Sequence, residues 1–115
     1  MKNALYIIIG VALLLFASCG RQQQAKSAVK DFVDQQLRQQ DVSYLDFSAV
    51  DSTRAVTDSL VLAMRKRVGG SVQYQERTGN TLLHIRAQYV TEGDTLSATF
   101  YLDPQTMGVV AYKKN

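Results

Sequence analysis

The 115 residues include one cysteine, one histidine, one proline and no tryptophan, and each scarcity closes off a class of chemistry. A lone cysteine forms no internal disulfide and supplies no thiolate cluster for zinc. His84 is the only side chain of its type, and one imidazole makes no zinc site without several carboxylates. No serine sits in a G-x-S-x-G turn, the setting of a hydrolase nucleophile. Asp46, Asp51, Asp58 and Asp94 lack the spacing of a calcium loop. Charge of one sign is not in great excess either, at 13 Lys and Arg against 10 Asp and Glu, too small an imbalance to argue for nucleic acid. The expectation is a protein that is not an enzyme and uses no cofactor or metal.

What is present begins with a long apolar run. After Met1-Lys2-Asn3, residues 4–17 read ALYIIIGVALLLFA, followed by Ser18-Cys19. A positive start, an apolar centre and small residues at the cut make the three-part layout of a secretory signal. As a helix the run would span roughly 21 Å, short of the ~30 Å hydrocarbon core, so a signal fits better than a permanent membrane span. The alternative, a buried free cysteine in an N-terminal helix, fits the flanks less well.

Phe16-Ala17-Ser18-Cys19 resembles the lipobox of bacterial lipoprotein signals, with Phe16 in place of the usual Leu. The resemblance implies cleavage before Cys19 and a diacylglyceryl thioether on its sulfur, often with a third acyl chain on the amine. Two or three chains make release from a bilayer negligible. In the Gram-negative sorting pattern that this segment resembles, Gly20 rather than Asp after the cysteine favours the outer membrane, and with no acidic run there to act as a surface-export tag the resemblance implies a domain facing the periplasm. The chain accordingly divides into a signal (1–18), a lipidated Cys19 with a polar tether (19–24, CGRQQQ) and one domain (25–115). Removal of residues 1–18 leaves 97, enough for one small core, with 12 basic against 10 acidic side chains. The tether reaches only ~17 Å, so a partner must come to the membrane.

Ala25, Ala28, Val29, Phe32, Val33 and Leu37 recur at helical spacing and predict a long helix over 23–40. On its polar side Asp34 and Arg38 are spaced for an i,i+4 pair with Lys30 beside them, and Asp31 and Asp34 read as a solvated face. Residues 42–50 alternate at Leu45, Phe47 and Ala49, which favours a short strand over a helical turn. Thr57 can cap a second helix with a stripe of Leu60, Val61, Met64 and Val68, stopped by Gly69-Gly70. Arg65-Lys66-Arg67 falls in its last turn, where cations complement the dipole; with Lys113 and Lys114 the cluster could also rest against anionic lipid head groups.

From residue 72 the period changes from 3.6 to 2. Val72-Tyr74, Leu83-Ile85-Ala87-Tyr89, Leu96-Ala98-Phe100-Leu102 and Val109-Ala111 make four alternating runs. Turn signals at 78–80, 92–94 and 103–108 separate them, and connections this short imply an antiparallel meander. The expected fold is α+β, with one long N-terminal helix and a second shorter helix packed on one face of a curved sheet of about four strands. In pattern, that order resembles the cystatin-like and nuclear-transport-factor-2-like folds of small periplasmic lipoproteins. The Q-x-V-x-G loop of cystatin inhibitors is not matched at Gln73-Tyr74-Gln75-Glu76-Arg77, and a fold resemblance does not transfer function.

The other side of the strands carries Gln73, Gln75, Arg77, His84, Arg86, Gln88, Ser97, Thr99 and Tyr101. Pairing across Gly93 would bring His84, Arg86, Gln88 and Tyr101 onto one surface, the candidate binding residues. An aromatic, a guanidinium and an amide suit recognition better than catalysis. The function expected is a binding module, anchored to the bilayer through acylated Cys19, for an envelope protein or peptide. The alternatives are an inhibitor or immunity-type protein working through loops 78–80 and 92–94, and a small-molecule-binding or enzymatic domain with a pocket between helix and sheet.

Overall fold

The computed structural model describes residues 20–115; the expected signal and Cys19 lie outside the described residues. Helix α1 occupies residues 20–35 among them, and its buried face is Ala25, Val29, Phe32 and Val33, as the spacing requires. It stops short of residue 40. The N–H groups of Gln36 and Leu37 converge on the Phe32 carbonyl at 2.9 and 3.1 Å, and the Gln39 N–H reaches the Val33 carbonyl at 3.2 Å. Arg38 turns left-handed at φ 52°. This widened closing turn satisfies the last carbonyls and carries Arg38 off the helical face, so the expected ladder from Asp34 to Arg38 does not form.

Among the described residues five strands make one antiparallel sheet: β1 (Ser43–Phe47), β2 (Asp51–Thr53), β3 (Leu82–Thr91), β4 (Asp94–Leu102) and β5 (Val109–Lys114). β3 is the long central strand. It pairs with β4 along one side, and with β1 and then β2 end to end along the other, while β5 extends β4. The β3–β4 hairpin turns on Glu92 and Gly93, both at positive φ (52° and 82°), the two-residue turn whose twist matches that of the strands. The sheet therefore has five strands rather than about four, and β2 is the unforeseen one. The 72–78 segment is not a strand. It runs extended beside the start of β5 with a single ladder-type bond, from the Gln75 N–H to the Val109 carbonyl at 2.9 Å. The carbonyls of Gln75 and Val110 are instead taken by the Arg65 guanidinium, both at 2.9 Å.

The main core lies between α1 and one face of the sheet. Leu83, Ile85, Ala87 and Tyr89 of β3 meet Ala98, Phe100 and Leu102 of β4 and Tyr112 of β5 there. Phe32 sits at its centre, edge-on to Phe100 and Tyr112 at ring separations of 6.1 and 5.5 Å. Helix α2 (Asp58–Val68) does not share that face. Its buried Val61 packs with Val56, Leu82, Val110 and Ala111, and the pleat points Leu82 and Ala111 away from the side that Leu83 and Tyr112 occupy. The two helices thus lie on opposite faces, α2 along the β5 side. Thr57 caps it by accepting from the Leu60 N–H at 3.3 Å, and Gly69 closes it at φ 70°. Leu60, expected in the apolar stripe, is half exposed.

Among the described residues one polar side chain, that of Asp103, is wholly buried. Asp103 accepts from the Thr78 N–H and hydroxyl at 2.7 and 2.8 Å on one oxygen, and from the Gln105 and Thr106 N–H groups at 3.0 and 3.1 Å on the other. Aspartate ahead of proline is a turn signal; here the same carboxylate also ties the 78–80 loop to the β4–β5 turn. Arg77, expected on the polar sheet face, holds the carbonyls of Val56, Gly79 and Asn80 at 2.7–3.0 Å.

Candidate functional site

The sheet face opposite α1 is mostly polar where α2 does not cover it, with Val90 the apolar member at the far end of β3, and the register orders it into rows. His84 lies between Asp51 and Tyr101, with Ala111 beyond. Arg86 lies beside Thr99 and then Lys113. Gln88 lies between Asp46 and Ser97. All four residues singled out from the sequence, His84, Arg86, Gln88 and Tyr101, are therefore on one face, as hairpin register demands. Two of them share a hollow: Arg86 and Gln88 line an open depression of about 350 Å³ with Asp46, Ser48 and Ser97. His84 and Tyr101 stand at the next row, ring centres 6.5 Å apart, and Tyr101 is partly buried against the α2 cluster.

Asp46 and Ser48 were not foreseen, because a bulge reorders β1. The register shifts between Tyr44 and Asp46, so Tyr44 and Phe47 both pack toward the core, while Leu45 is 60 % exposed and Ala49 is also outside. The expected inward set of Leu45, Phe47 and Ala49 is thus replaced by Val42, Tyr44, Phe47 and Val50. Bulges re-aim side chains in this way. Ser48 is then fixed from three sides. Its hydroxyl accepts from the Arg86 N–H and its own N–H donates to the Arg86 carbonyl, both at 2.8 Å. Gln22 of α1 donates to the Ser48 carbonyl at 3.0 Å and accepts from the Val50 N–H at 2.8 Å. On the far side Asn115 bonds Ser97 and Thr99, each at 3.2 Å.

The hollow combines a guanidinium, a carboxamide, two hydroxyls and a carboxylate. Among the described residues the ion pairs are Arg65–Glu76 at 3.3 Å and Arg77–Asp58 at 3.5 Å, so the exposed Arg86 fork is not engaged by an acidic side chain. Such a fork matches a planar carboxylate or a peptide carbonyl pair, and the amide and hydroxyls beside it donate and accept. Neither serine of the hollow bonds to an imidazole, since both hydroxyls serve other partners. Among the described residues no group of three or more potential metal ligands comes together, and no helix is long and apolar enough to cross a membrane. Compared with protein-family models, with curated proteins and with solved structures, the chain matches none.

Proposed function

We propose that this chain is a lipoprotein, acylated at Cys19 and held on the periplasmic side of the outer membrane, whose domain binds an envelope protein or peptide on its polar sheet face without catalysis. The observation that carries the reading is the hollow: an Arg86 fork with no acidic partner, flanked by Gln88, Ser97, Ser48 and Asp46, on a rigid sheet. Polar groups set on strands are better positioned than groups on loops. The signal-like run and Phe16-Ala17-Ser18-Cys19 support the address, since two or more acyl chains anchor firmly.

The test places a photoreactive residue at position 88 of the full chain, with a second at the exposed Leu62 as control, in intact cells. Cross-linking to one partner from position 88 only, lost in Arg86→Ala without a change in melting temperature, is the expected result. Equal cross-linking from both positions removes the sheet face as the site. Mass measurement of the N-terminus decides the anchor: an unmodified start at Met1 overturns it. The inhibitor reading also has an observation in its favour. The exposed 78–80 loop is pre-ordered by Asp103 and Arg77, and ordered loops bind with little entropy loss; capture abolished by changes at 78–80 alone would select it.

A further inference from the structure

Beside the edge of the sheet, between the C-terminal turn of α2 and the end of β5, lies a groove of about 260 Å³ lined by Met64, Arg67, Val68, Tyr112, Lys113 and Lys114. Three of its six residues are cationic and none is acidic. Arg67, Lys113 and Lys114 are exposed and take part in neither ion pair found among the described residues. The neighbouring Arg65 is different: it is spent on Glu76, Gln75 and Val110 and lies over the Tyr74 ring at 5.0 Å. The backbone adds donors. The Asn115 N–H points to Ser97 of β4, and the Val110 carbonyl points outward to Arg65. Alternation along an antiparallel strand therefore sends the N–H groups of Tyr112 and Lys114 outward too, to the edge where the groove lies.

A solvated cationic helix end explains Arg67 alone, and lysines on an edge strand guard against pairing. Neither explains why both sets converge over an apolar floor of Met64, Val68 and Tyr112. That floor continues to Leu60, which is 50 % exposed and lies one turn before Met64 on the flank that leads to Arg67. Cations beside an exposed leucine are the chemistry of a bilayer interface with anionic lipids, whereas a free phosphate has no use for the apolar floor. We infer that this groove receives the phosphate head group of an anionic membrane lipid. The inference rests on the proposed membrane address only in needing a bilayer within reach; it does not depend on acylation of Cys19 or on the sheet-face partner.

The test uses the full chain mixed with vesicles of phosphatidylcholine alone or with phosphatidylglycerol, and reads amine labelling of each lysine by mass spectrometry. Lys26 and Lys30, which lie over the Tyr44 and Phe47 rings, serve as internal references. Protection of Lys113 and Lys114 by fivefold or more with phosphatidylglycerol, little change at Lys26 and Lys30, and loss of the protection in Arg67→Glu or at high salt is the expected result. Equal labelling of Lys113 and Lys114 in both vesicle types overturns the proposal. So does protection by inorganic phosphate or by polyglutamate without vesicles that matches the phosphatidylglycerol effect, since the site would then serve a soluble anion or an acidic peptide. Failure of the anchor reading appears separately, as a chain that does not sediment with phosphatidylcholine vesicles.

Discussion

Asp103 offers the sharpest test of how this small domain is held together. Its side chain is fully buried and accepts four hydrogen bonds, two on each oxygen. Burial by itself would raise its pKa; the bonds from Thr78, Thr106 and Gln105 outweigh that and hold the carboxyl below the usual aspartate range. Asp103→Asn keeps the shape but removes the charge and turns one oxygen into an NH2 group. In place of Oδ2 it faces two N–H donors; in place of Oδ1 it faces the Thr78 N–H while the hydroxyl turns to accept, so one or two bonds go and the others lose their charged acceptor. At about 1.5–3 kcal/mol for each such bond, with incomplete additivity, the loss is about 3 kcal/mol. For a domain of this size that lowers the melting temperature by about 12–24 °C. The charge-dependent part is complete above the unfolded aspartate value of about 3.9 and disappears as the pH falls through the lower folded value. Thermal melts of wild type and Asp103→Asn at pH 7 and at pH 2 to 3 should therefore show a wide gap that narrows in acid. A gap of only a few degrees at pH 7, or one that does not narrow, refutes the reasoning.

Phe32→Ala and Phe100→Ala should each destabilise by about 3–5 kcal/mol in denaturant titration, because each opens a cavity between α1 and the sheet, whereas Thr99→Ala on the outer face should cost under about 1 kcal/mol. Glu92 holds φ 52° in the hairpin turn, so Glu92→Asn should raise stability by about 0.5–1 kcal/mol; a loss would mean the turn is not of this type. Burial pushes Tyr44 and Tyr74 up to about 12, reinforced at Tyr44 by Tyr89, Asp34 and Asp31 and opposed at Tyr74 by Arg65. Because unfolded tyrosine ionises near 10, stability is fully present below that pH and is lost as pH rises through about 12, and Tyr44→Phe with Tyr74→Phe should flatten the alkaline limb of the stability curve.

The parts legible in the sequence are those whose signal is local and repeated. Alternation across β3 and β4 gave the right facing for Leu83 to Tyr89 and Ala98 to Leu102, and Glu92-Gly93 marked the hairpin. Thr57 and Gly69 bounded α2 as their capping chemistry requires. What escaped depends on partners distant in the chain. Val72 and Tyr74 pack on the core as a strand's residues would, but Arg65 and Gln36 take ladder groups that would have made 72–75 a strand. A stripe of Val61, Met64 and Val68 says that α2 is covered on one side, not which face of the sheet covers it. The bulge at Leu45 brings Asp46 and Ser48 into the hollow through pairing with β3 more than 35 residues away. The apolar residues of 42–50 fit both an unbroken period-2 set, Leu45-Phe47-Ala49, and the set interrupted by the bulge, Val42-Tyr44-Phe47-Val50, and only the pairing partner selects between them.

Seen against the sheet, however, the polarity of each strand does record the side of α2 and the place of the site. An 11-residue helix is only about 16 Å long, while the ten residues of β3 extend about 33 Å. One such helix cannot cover the face. From the α2 end as far as the hollow, the outward residues of β3 run Leu82, His84, Arg86, Gln88, with Val90 beyond it; those of β4 run Tyr101, Thr99, Ser97, and those of β5 Ala111 and then Lys113. Each strand turns from apolar to polar in the same direction, and the apolar members Leu82 and Ala111, with partly buried Tyr101, are those packed under α2. The boundary of the helix's cover is thus written across three strands at one level, and Arg86, Gln88 and Ser97 begin where it stops. A face meant only for solvent needs no bulge in β1 to bring Asp46 and Ser48 to its edge, nor a glutamine from α1 to lock their connection. The bulge costs ladder bonds in the sheet, and its effect is to complete the rim of the hollow around Arg86.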